Sequence, residues 1–377
     1  MSSSSIQIAS TASAQRLPVA RPRLPDAQAL LPYLERIDAA RWYSNFGPLL
    51  TEFETRLEAR FRRPTGVATT VNGTQAITLA LTAMGVRQGG LCAMPAWTFA
   101  ATAHAAVQAG LVPWFLDVDP VTWMLDPAHV ARSLESAPGP VSAVVPVAAF
   151  GQVPDLSAWK RFADETGLPV LLDAAAAFDS LTEAPIPCAF SLHATKGVST
   201  GEGGYVASED AELIARVKQL TVFGFKGDRE SHRPATNAKL SEYAAAVGLA
   251  SMDAWPAQRL RLGFSAGRLR VAFALTPDVV FQPGWGTRWV STVAMVSLPL
   301  GAAEAVARTL DLNGLEGRAW WGMGCHRTNA FRDCPRQALP ITDMLATSTI
   351  GLPFSSDLDE QDAYRIADAT LTALRSA

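Results

Sequence analysis

The sequence predicts an α/β protein in which a mostly parallel, doubly wound sheet flanked by helices is followed by a smaller C-terminal α+β domain. Two patterns support this prediction. From about residue 66, short β-rich runs alternate with helical stretches, which is typical of βαβ units. After about residue 240 the alternation gives way to one long helical stretch and then to shorter mixed elements. The 377 residues are enough for two domains of ordinary size.

The elements of the first part are predicted as strands at 66–71, 91–95, 111–117, 141–147 and 169–173, with helices at 74–84, 99–109 and 156–166 between them. The second part begins with a helix from about 240 to 274. It continues with strands at 279–281, 289–298 and 348–352 and a helix near 302–310. We therefore divide the chain into an N-terminal arm (1–25), a large domain (26–250) and a small domain (251–377). Because parallel strands end at one edge of their sheet, we expect the functional site at that edge.

The first 25 residues are rich in serine, contain three arginines and have no acidic residue. This composition is typical of an organelle transit peptide, and a flexible or strap-like arm is the alternative. We favour the arm because Ile6, Ile8 and Leu17 form no clear amphipathic stripe.

Composition and charge exclude several classes of protein. With 49% hydrophobic and 18% charged residues, the chain is not a disordered protein. The net charge of −3, without a long run of like charges, excludes an electrostatic nucleic-acid footprint. Every apolar stretch is interrupted before it reaches the length of a membrane helix. The four cysteines form no CxxC pair, and Cys325, His326 and Cys334 fit no standard zinc spacing, so we expect a cytoplasmic protein with no metal site.

Lysine is scarce, and this makes Lys196 a candidate for chemistry. Only five of the 32 basic residues are lysines, so a role that requires only positive charge is usually filled by arginine here. An amine, unlike a guanidinium, can lose its proton and form a Schiff base. Lys196 follows an apolar run and precedes the glycine-rich turn at 201–204, which predicts a position in a cleft. The alternative is an ordinary exposed lysine near a turn.

Three further features at predicted strand ends extend this candidate site. Asp173 ends a buried-strand run and needs a partner such as a protonated ring nitrogen of a cofactor, unless it only caps the next segment. In the turn at 72–75, Gly73 lets helix amides approach an anion, and Thr74 can cap the helix and bind phosphate. Phe99 can stack on a planar ring or pack in the core. A phosphate cradle, a ring stacker, a carboxylate for a ring nitrogen and an amine form the set that pyridoxal phosphate requires.

The chain resembles the sugar aminotransferase family called DegT/DnrJ/EryC1/StrS, a branch of the fold type I pyridoxal-phosphate enzymes. The resemblance covers most of the chain and rests on the motifs WYSNFGP (42–48), GT (73–74), PAWTF (95–99), FGQ (150–152), DAA (173–175), SLHATK (191–196), GEGG (201–204), TNAKLSE (236–242) and AAVGL (245–249). It implies a fold type I aminotransferase-like structure. It also implies that Lys196 bonds to pyridoxal 5'-phosphate, that Asp173 keeps the pyridinium nitrogen protonated and that Phe99 stacks on the ring.

The resemblance further implies that Gly73, Thr74 and Ser191 hold the phosphate of the cofactor. By the same resemblance Asn237 or Lys239 reaches the cofactor of a neighbouring subunit, which implies a homodimer with shared active sites.

Two positions depart from the family pattern. Ala176 stands where a His or Gln beside the cofactor ring is usual, and Val222 stands where relatives often carry Asn. Either another residue replaces the missing ring-side hydrogen bond at Ala176, or the reaction differs.

We therefore expect a pyridoxal-phosphate-dependent aminotransferase that moves an amino group from glutamate to a nucleotide-linked keto sugar in amino sugar biosynthesis. A cyclitol or another cyclic ketone as acceptor stays open, because the acceptor pocket leaves no readable motif. A non-catalytic, cofactor-binding regulator is the third alternative. A dehydratase is not expected, because relatives with that activity replace the catalytic lysine with histidine.

Overall fold

The computed structural model describes residues 16–376. Residues 1–15, which form most of the predicted N-terminal arm, and Ala377 lie outside the described range. The helices are α1 Ala27–Ala40, α2 Pro48–Glu58, α3 Gly73–Ala83, α4 Ala100–Gln108, α5 Pro127–Leu134, α6 Leu156–Thr166, α7 Ala211–Thr221, α8 Glu242–Ala272, α9 Ala302–Leu312, α10 Pro340–Ser348 and α11 Glu360–Ser376. The strands are β1 Gly66–Thr70, β2 Leu91–Pro95, β3 Val112–Leu116, β4 Val141–Val144, β5 Leu172–Asp173, β6 Cys188–Ser191, β7 Gly204–Ser208, β8 Val280–Phe281, β9 Ala294–Ser297 and β10 Thr349–Leu352.

The large sheet is a continuous layer built from two ladders. One ladder has the strand order β1-β7-β6-β5, and the other has the order β3-β2-β4. Parallel bridges from Val144 to Val170 and from Val147 to Asp173 join β4 to β5. Within the described part of this sheet, β7 alone runs antiparallel to its neighbours, and the remaining pairs are parallel. The predicted α/β fold with a mostly parallel sheet is confirmed.

This topology brings several strand ends to one edge of the sheet. Because β7 is antiparallel to both β1 and β6, those two strands run in the same direction, and β5 runs parallel to β6. The carboxyl ends of β1, β5 and β6 therefore meet at one edge. The turn at 72–75, Asp173 and Ser191 occupy these ends.

Two hydrophobic cores cover the two faces of the large sheet. Neighbouring residues of β3 alternate between them: Trp114 and Leu116 belong to one core, and Phe115 belongs to the other. Every residue of β2 is buried. A strand that is buried on both faces has a continuous apolar sequence, which explains why both ends of β2 agree with the predicted strand at 91–95.

Local sequence explains where the helices begin. Several helices begin after a residue whose side-chain oxygen accepts a hydrogen bond from an amide of the first turn. These N-cap residues include Asn72 for α3, Asp126 for α5, Asp155 for α6, Asp210 for α7 and Ser241 for α8. For α3 this corrects a prediction. The cap is Asn72, whose Oδ1 accepts from the amide of Gln75 at 2.8 Å, whereas Thr74 lies inside the first turn.

The smaller sheet is antiparallel, has the order β10-β9-β8, and carries its own core. Helices α8, α9 and α11 contribute the buried side chains Leu262, Val306 and Ile366 to this core. The described end of the N-terminal arm joins it, because Leu17 pairs with Leu315 and Ala20 pairs with Phe354 through parallel bridges. The described arm residues therefore form part of this layer.

One late segment of the chain packs on the large sheet. The amide of Phe115 in β3 donates to the carbonyl of Pro335 at 2.9 Å, and the amide of Gln337 donates back to Phe115 at 3.0 Å. The carboxylate of Asp117 accepts hydrogen bonds from Thr342 at the start of α10. Residues 335–342 therefore cover the edge strand β3, which would otherwise expose unpaired backbone groups.

Helix α8 runs without a break through residue 250, so a domain boundary at that position stays a prediction. None of the described helices has both the length and the apolar character that a membrane crossing requires.

Candidate active site

Lys196 lies in a tight turn between β6 and β7. Its amide donates to the carbonyl of His193 at 2.9 Å. The carbonyl of Thr195 accepts a hydrogen bond of 2.6 Å from the hydroxyl of Thr292, which precedes β9. A Cβ on Gly197 would lie 2.7 Å from the ring of Trp255, so the chain is also packed tightly on the other side of the lysine. Lys196 is thus presented by a well-anchored turn to a cavity of about 600 Å³.

Asp173 lines the same cavity and is 5% exposed. Its Oδ2 accepts a hydrogen bond of 2.7 Å from the hydroxyl of Thr102 in α4. Its Oδ1 accepts one of 3.1 Å from the amide of Ala175. The local contact with Ala175 is the capping role that the sequence left open, but the contact with Thr102 comes from a different helix and is not explained by capping.

Burial and mutual attraction set the protonation of these two groups. Burial raises the pKa of Asp173, while the hydrogen bonds from Thr102 and Ala175 and the charge of Lys196 oppose the rise. Burial lowers the pKa of Lys196, and the charge of Asp173 partly opposes that shift. Lys196 therefore loses its proton more readily than a surface lysine, and Asp173 gains from a cationic partner. Both properties suit an amine nucleophile and a carboxylate that holds a positive ring nitrogen.

The start of α3 forms a compact cradle with β6 and β7. A Cβ on Gly73 would lie 2.9 Å from the Cβ of Ser191, and a Cβ on Gly204 would lie 2.6 Å from the backbone of Asn72. Only residues without side chains allow these backbones to approach so closely. Gly73, Thr74 and Ser191 all line the cavity. Since the first amides of a helix have no intrahelical acceptors, this end of α3 is suited to an anion.

Phe99 lies at the N-cap of α4, after β2, and is 60% exposed while it lines the cavity. A large aromatic side chain that stays exposed in a concave site is available to stack on a planar ligand. The core-packing alternative for Phe99 is therefore wrong.

An aromatic wall faces the cavity from other parts of the chain. The ring of Phe150 stacks on Trp321 with centroids 3.9 Å apart and an interplanar angle of 18°. Phe150 has a φ of 53°, and the next residue, Gly151, has a φ of 110°. A Cβ on Gly151 would lie 2.8 Å from the carbonyl oxygen of Ala176. The loop at 150–151 therefore packs against Ala176, whose methyl group gives the cavity no polar atom at that position.

Asn237, like its alternative Lys239, is a predicted site residue that does not line this cavity in the described chain. It is exposed, forms a bridge to Val222, and accepts a hydrogen bond of 2.5 Å from Nζ of Lys239. The structure thus brings together Gly73, Thr74, Phe99, Asp173, Ser191 and Lys196 and leaves Asn237 on the outer surface.

Sequence reasoning missed several residues of the site. It gave no role to Thr102, although a buried carboxylate such as Asp173 signals that a donor must be nearby. It also missed the described end of the N-terminal arm, from which Val19, Ala20 and Pro22 line the cavity. No local pattern marks these three residues, because their position depends on bridges to residues about 300 positions later in the chain.

Comparisons with known proteins agree with this arrangement. Residues 26–371 match the DegT/DnrJ/EryC1/StrS aminotransferase family. Protein Rv3402c of Mycobacterium tuberculosis is 31% identical, over 95% of this chain and 90% of its own. The dTDP-4-amino-4,6-dideoxy-D-glucose transaminase of Escherichia coli is 31% identical, over 94% and 98%. Among solved structures, DesI in the presence of its TDP-sugar product is 36% identical, covers 96% of this chain and 94% of its own, and gives a TM-score of 0.85.

The chain therefore belongs to the DegT/DnrJ/EryC1/StrS aminotransferase family. It is a pyridoxal-phosphate-dependent aminotransferase with the type I fold. The described residues fit this cofactor on three grounds: a cradle at Gly73 that a Cβ would fill, a buried carboxylate at Asp173, and an amine of lowered pKa at Lys196.

Proposed function

We propose that this aminotransferase moves an amino group from glutamate to a nucleotide-linked keto sugar. The main support is that Lys196, Asp173 and the cradle at Gly73 line one cavity. The cavity is large enough to hold a substrate beside the cofactor. The similarity to a dTDP-sugar transaminase and to DesI with its TDP-sugar product supports a nucleotide sugar as the acceptor. Glutamate is the donor that we infer from the family resemblance of the sequence.

Pyridoxal phosphate, when bound, supplies an aldehyde carbon for amines and a ring that withdraws electrons from the substrate carbon. Gly73, Thr74 and Ser191 would hold its phosphate through backbone amides and hydroxyls. Phe99 would lie against the face of its ring. The Asp173 carboxylate would keep a proton on the pyridine nitrogen, because a buried anion is stabilised by a cation beside it.

Lys196 has two roles in this proposal. Its Nζ would be the amine that holds the cofactor in the resting enzyme, and its lowered pKa favours the neutral, nucleophilic form. When Nζ is free, it would take the proton from the substrate carbon and deliver it, within the same half of the reaction, to the former aldehyde carbon of the cofactor; the second half would use the same base in reverse. The turn that anchors Lys196 limits the movement of this base.

The apolar wall of the cavity excludes water from the reacting carbon. Phe150 and Trp321 present stacked rings, and Val147 and Ala148 also line the cavity. A dry site strengthens the pairing of charged groups and protects reactive species from hydrolysis.

The position of Asn237 supports a homodimer with shared active sites. It is exposed and lies outside the cavity of its own chain, as expected for a residue that serves a neighbouring subunit. Lys239, which donates to Asn237, would accompany it. The free cysteines Cys92, Cys188, Cys325 and Cys334 support the cytoplasm as the location.

The test uses purified protein loaded with pyridoxal phosphate. Glutamate should change the absorbance of the bound cofactor and release 2-oxoglutarate, and dTDP-4-amino-4,6-dideoxy-D-glucose should give the same change from the sugar side. A response to glutamate and to an aminocyclitol, without a response to any nucleotide-linked amino sugar, would favour the cyclitol alternative. If no amine changed the absorbance, the proposal would be wrong, and the alternative of a non-catalytic, cofactor-binding regulator would be favoured.

A further inference from the structure

Arg318 lines the cavity from the side of the small sheet. Its amide donates to the carbonyl of Gly351 at 3.0 Å, and the amide of Gly351 donates back at 2.8 Å. Gly351 belongs to β10, which is paired with β9. The backbone of Arg318 is therefore fixed to the sheet by two hydrogen bonds.

Two neighbours also orient the guanidinium group. One terminal nitrogen donates to Oε1 of Glu316, and Cζ lies 4.9 Å from the ring centroid of Trp320. The other carboxylate oxygen of Glu316 accepts from the amide of Val19 at 3.1 Å. The hydrogen bonds from Val19 and Arg318 outweigh the effect of burial and lower the pKa of Glu316, so its carboxylate is ionised.

The oriented guanidinium still has free donors. A guanidinium carries five N–H groups, and Glu316 is the side-chain acceptor that Arg318 has among the described residues. The side chain is 47% exposed, and Arg318 lines the cavity. An arginine held in this way can bind two oxygens of one anion with parallel hydrogen bonds.

The charge of the described cavity lining makes Arg318 distinctive. Lys196 and Arg318 are the only lysine and arginine in that lining. The Asp179 carboxylate in the lining is already paired with Arg259 at 2.5 Å and with the amide of Val290 at 2.9 Å. Because Lys196 would be committed to the cofactor, Arg318 is the lysine or arginine of this described lining that remains for a substrate.

Transamination requires such a cation. In the proposed function both substrates enter the same cavity in turn, and an amino acid donor brings a carboxylate into a largely apolar site. An anion that leaves water without a partner costs a large free energy. The adjacent Glu316 cancels much of the charge of Arg318, so the pair suits a single carboxylate better than the multiply charged diphosphate of a nucleotide.

We propose that Arg318 is the specificity residue that binds a carboxylate of the amino donor. The inference rests on the proposed function, because it assumes an amino acid as donor.

The test compares holoenzymes of the wild type, Arg318→Met, Arg318→Lys and the control Arg308→Met. Arg308 is an exposed arginine of α9 that pairs with Glu304, and it is absent from the described cavity lining. Calorimetry would measure the dissociation constants of glutarate, a dicarboxylate that has no amine to react, and of thymidine diphosphate. Thermal unfolding and the cofactor absorbance would verify that each variant is folded and loaded.

We expect Arg318→Met to weaken glutarate binding at least tenfold and to change thymidine diphosphate binding less than twofold. Arg318→Lys should fall between Arg318→Met and the wild type, and Arg308→Met should match the wild type. Weaker binding of thymidine diphosphate with unchanged glutarate binding would assign Arg318 to the diphosphate and overturn the inference. Unchanged binding of both ligands would also overturn it. If the wild type responds to glutamate, such a result concerns Arg318 alone, whereas a wild type without any response to glutamate would refute the proposed function itself.

Discussion

The hydroxyl of Thr102 donates a hydrogen bond of 2.7 Å to Oδ2 of Asp173, across 71 positions of sequence. The same hydroxyl oxygen lies 2.8 Å from the hydroxyl of Thr98. Since Thr102 uses its single proton on Asp173, Thr98 donates to Thr102. Burial raises the pKa of Asp173 and so favours its protonated form. The hydrogen bond from Thr102, itself supported by Thr98, favours the ionised carboxylate.

We predict that Asp173→Asn slows transamination by about 3 kcal/mol in the barrier, on the order of a hundredfold in rate, while the cofactor stays bound. An amide keeps the shape of the side chain but cannot pair as an anion with the ring nitrogen. Single-turnover kinetics with glutamate would measure the change. Asp164→Asn, at an exposed position of α6, is the control. A near-normal rate in the Asp173 variant would reject this role, and loss of folding would indicate that Asp173 mainly caps its turn.

The pKa shift of Asp173 predicts a pH dependence of stability that the cofactor should remove. Because the folded pKa is raised, the cofactor-free folded chain keeps a proton that the unfolded chain loses above the usual carboxyl pKa of 3.8. The contribution of Asp173 to the free energy of unfolding is therefore full below that value and declines as pH rises toward the raised pKa. Bound cofactor should flatten this slope, since a cationic ring nitrogen favours the ionised carboxylate. Denaturant titrations between about pH 4.5 and 7 would measure the free energy of unfolding with and without cofactor, with cofactor-free Asp173→Asn as the reference. If the contribution of Asp173 rose with pH in the cofactor-free protein, the prediction would be wrong.

Lys196→Ala and Lys196→Arg should both abolish turnover and leave the fold intact. Alanine has no amine, and arginine keeps the charge but does not give up its proton. Asp173 retains its hydrogen bonds from Thr102 and Ala175 in either variant. Borohydride reduction followed by peptide mass analysis should find cofactor on Lys196 in the wild type and in the control Lys160→Ala, and none in the variants. Measurable transamination by either Lys196 variant would refute the assignment.

Gly73→Ala should weaken the binding of pyridoxal phosphate by about tenfold or more, roughly 1.4 kcal/mol. The added Cβ would lie 2.9 Å from the Cβ of Ser191, so the cradle must widen. Equilibrium dialysis of the cofactor against the cofactor-free protein would measure the change. The matched control is Gly263→Ala in α8, where a Cβ meets nothing within 4 Å and should raise stability slightly. Equal cofactor affinity in Gly73→Ala and the wild type would exclude this turn from phosphate binding.

Ala176→Gln tests whether another group has taken over the missing ring-side hydrogen bond. We expect that it has, so the new amide must displace that group or remain unpaired, which costs about 1 to 3 kcal/mol of stability. Ala176→Leu adds similar bulk without a polar group and separates crowding from hydrogen bonding. Thermal unfolding and the cofactor spectrum are the readouts. A Gln variant with normal activity, normal stability and an altered spectrum would mean that the site works without this contact.

The sequence predicts best those features that depend on neighbours in the chain. Strand β2 and helix α6 have the predicted bounds, because an apolar run and a cap at Asp155 with Gly167 at the other end are local signals. The strand predicted at 169–173 is shorter in the ladder, where only Leu172 and Asp173 pair with β6. Val170 instead makes a single bridge to Val144, a contact that no local pattern specifies.

Within the site, the sequence could indicate residue types but not their partners. Lys196 and Asp173 stand out because an amine and a buried acid are unusual at strand ends. The hydroxyl of Thr102 is ordinary in its local sequence and acquires a role only through tertiary packing. The sequence allows Thr74 to cap α3, but Asn72, two residues earlier, is the N-cap, because a side chain at that position reaches the free amides of the first turn.

The segment at 335–342 that covers β3 has a consequence for biosynthesis. The central strands leave the ribosome early, yet β3 lacks its cover until more than two hundred further residues have been made. A nascent chain of about 250 residues would carry an incomplete helix α8 and an open sheet edge, which invites pairing with other chains. We therefore expect fragments that stop before residue 342 to be prone to aggregation.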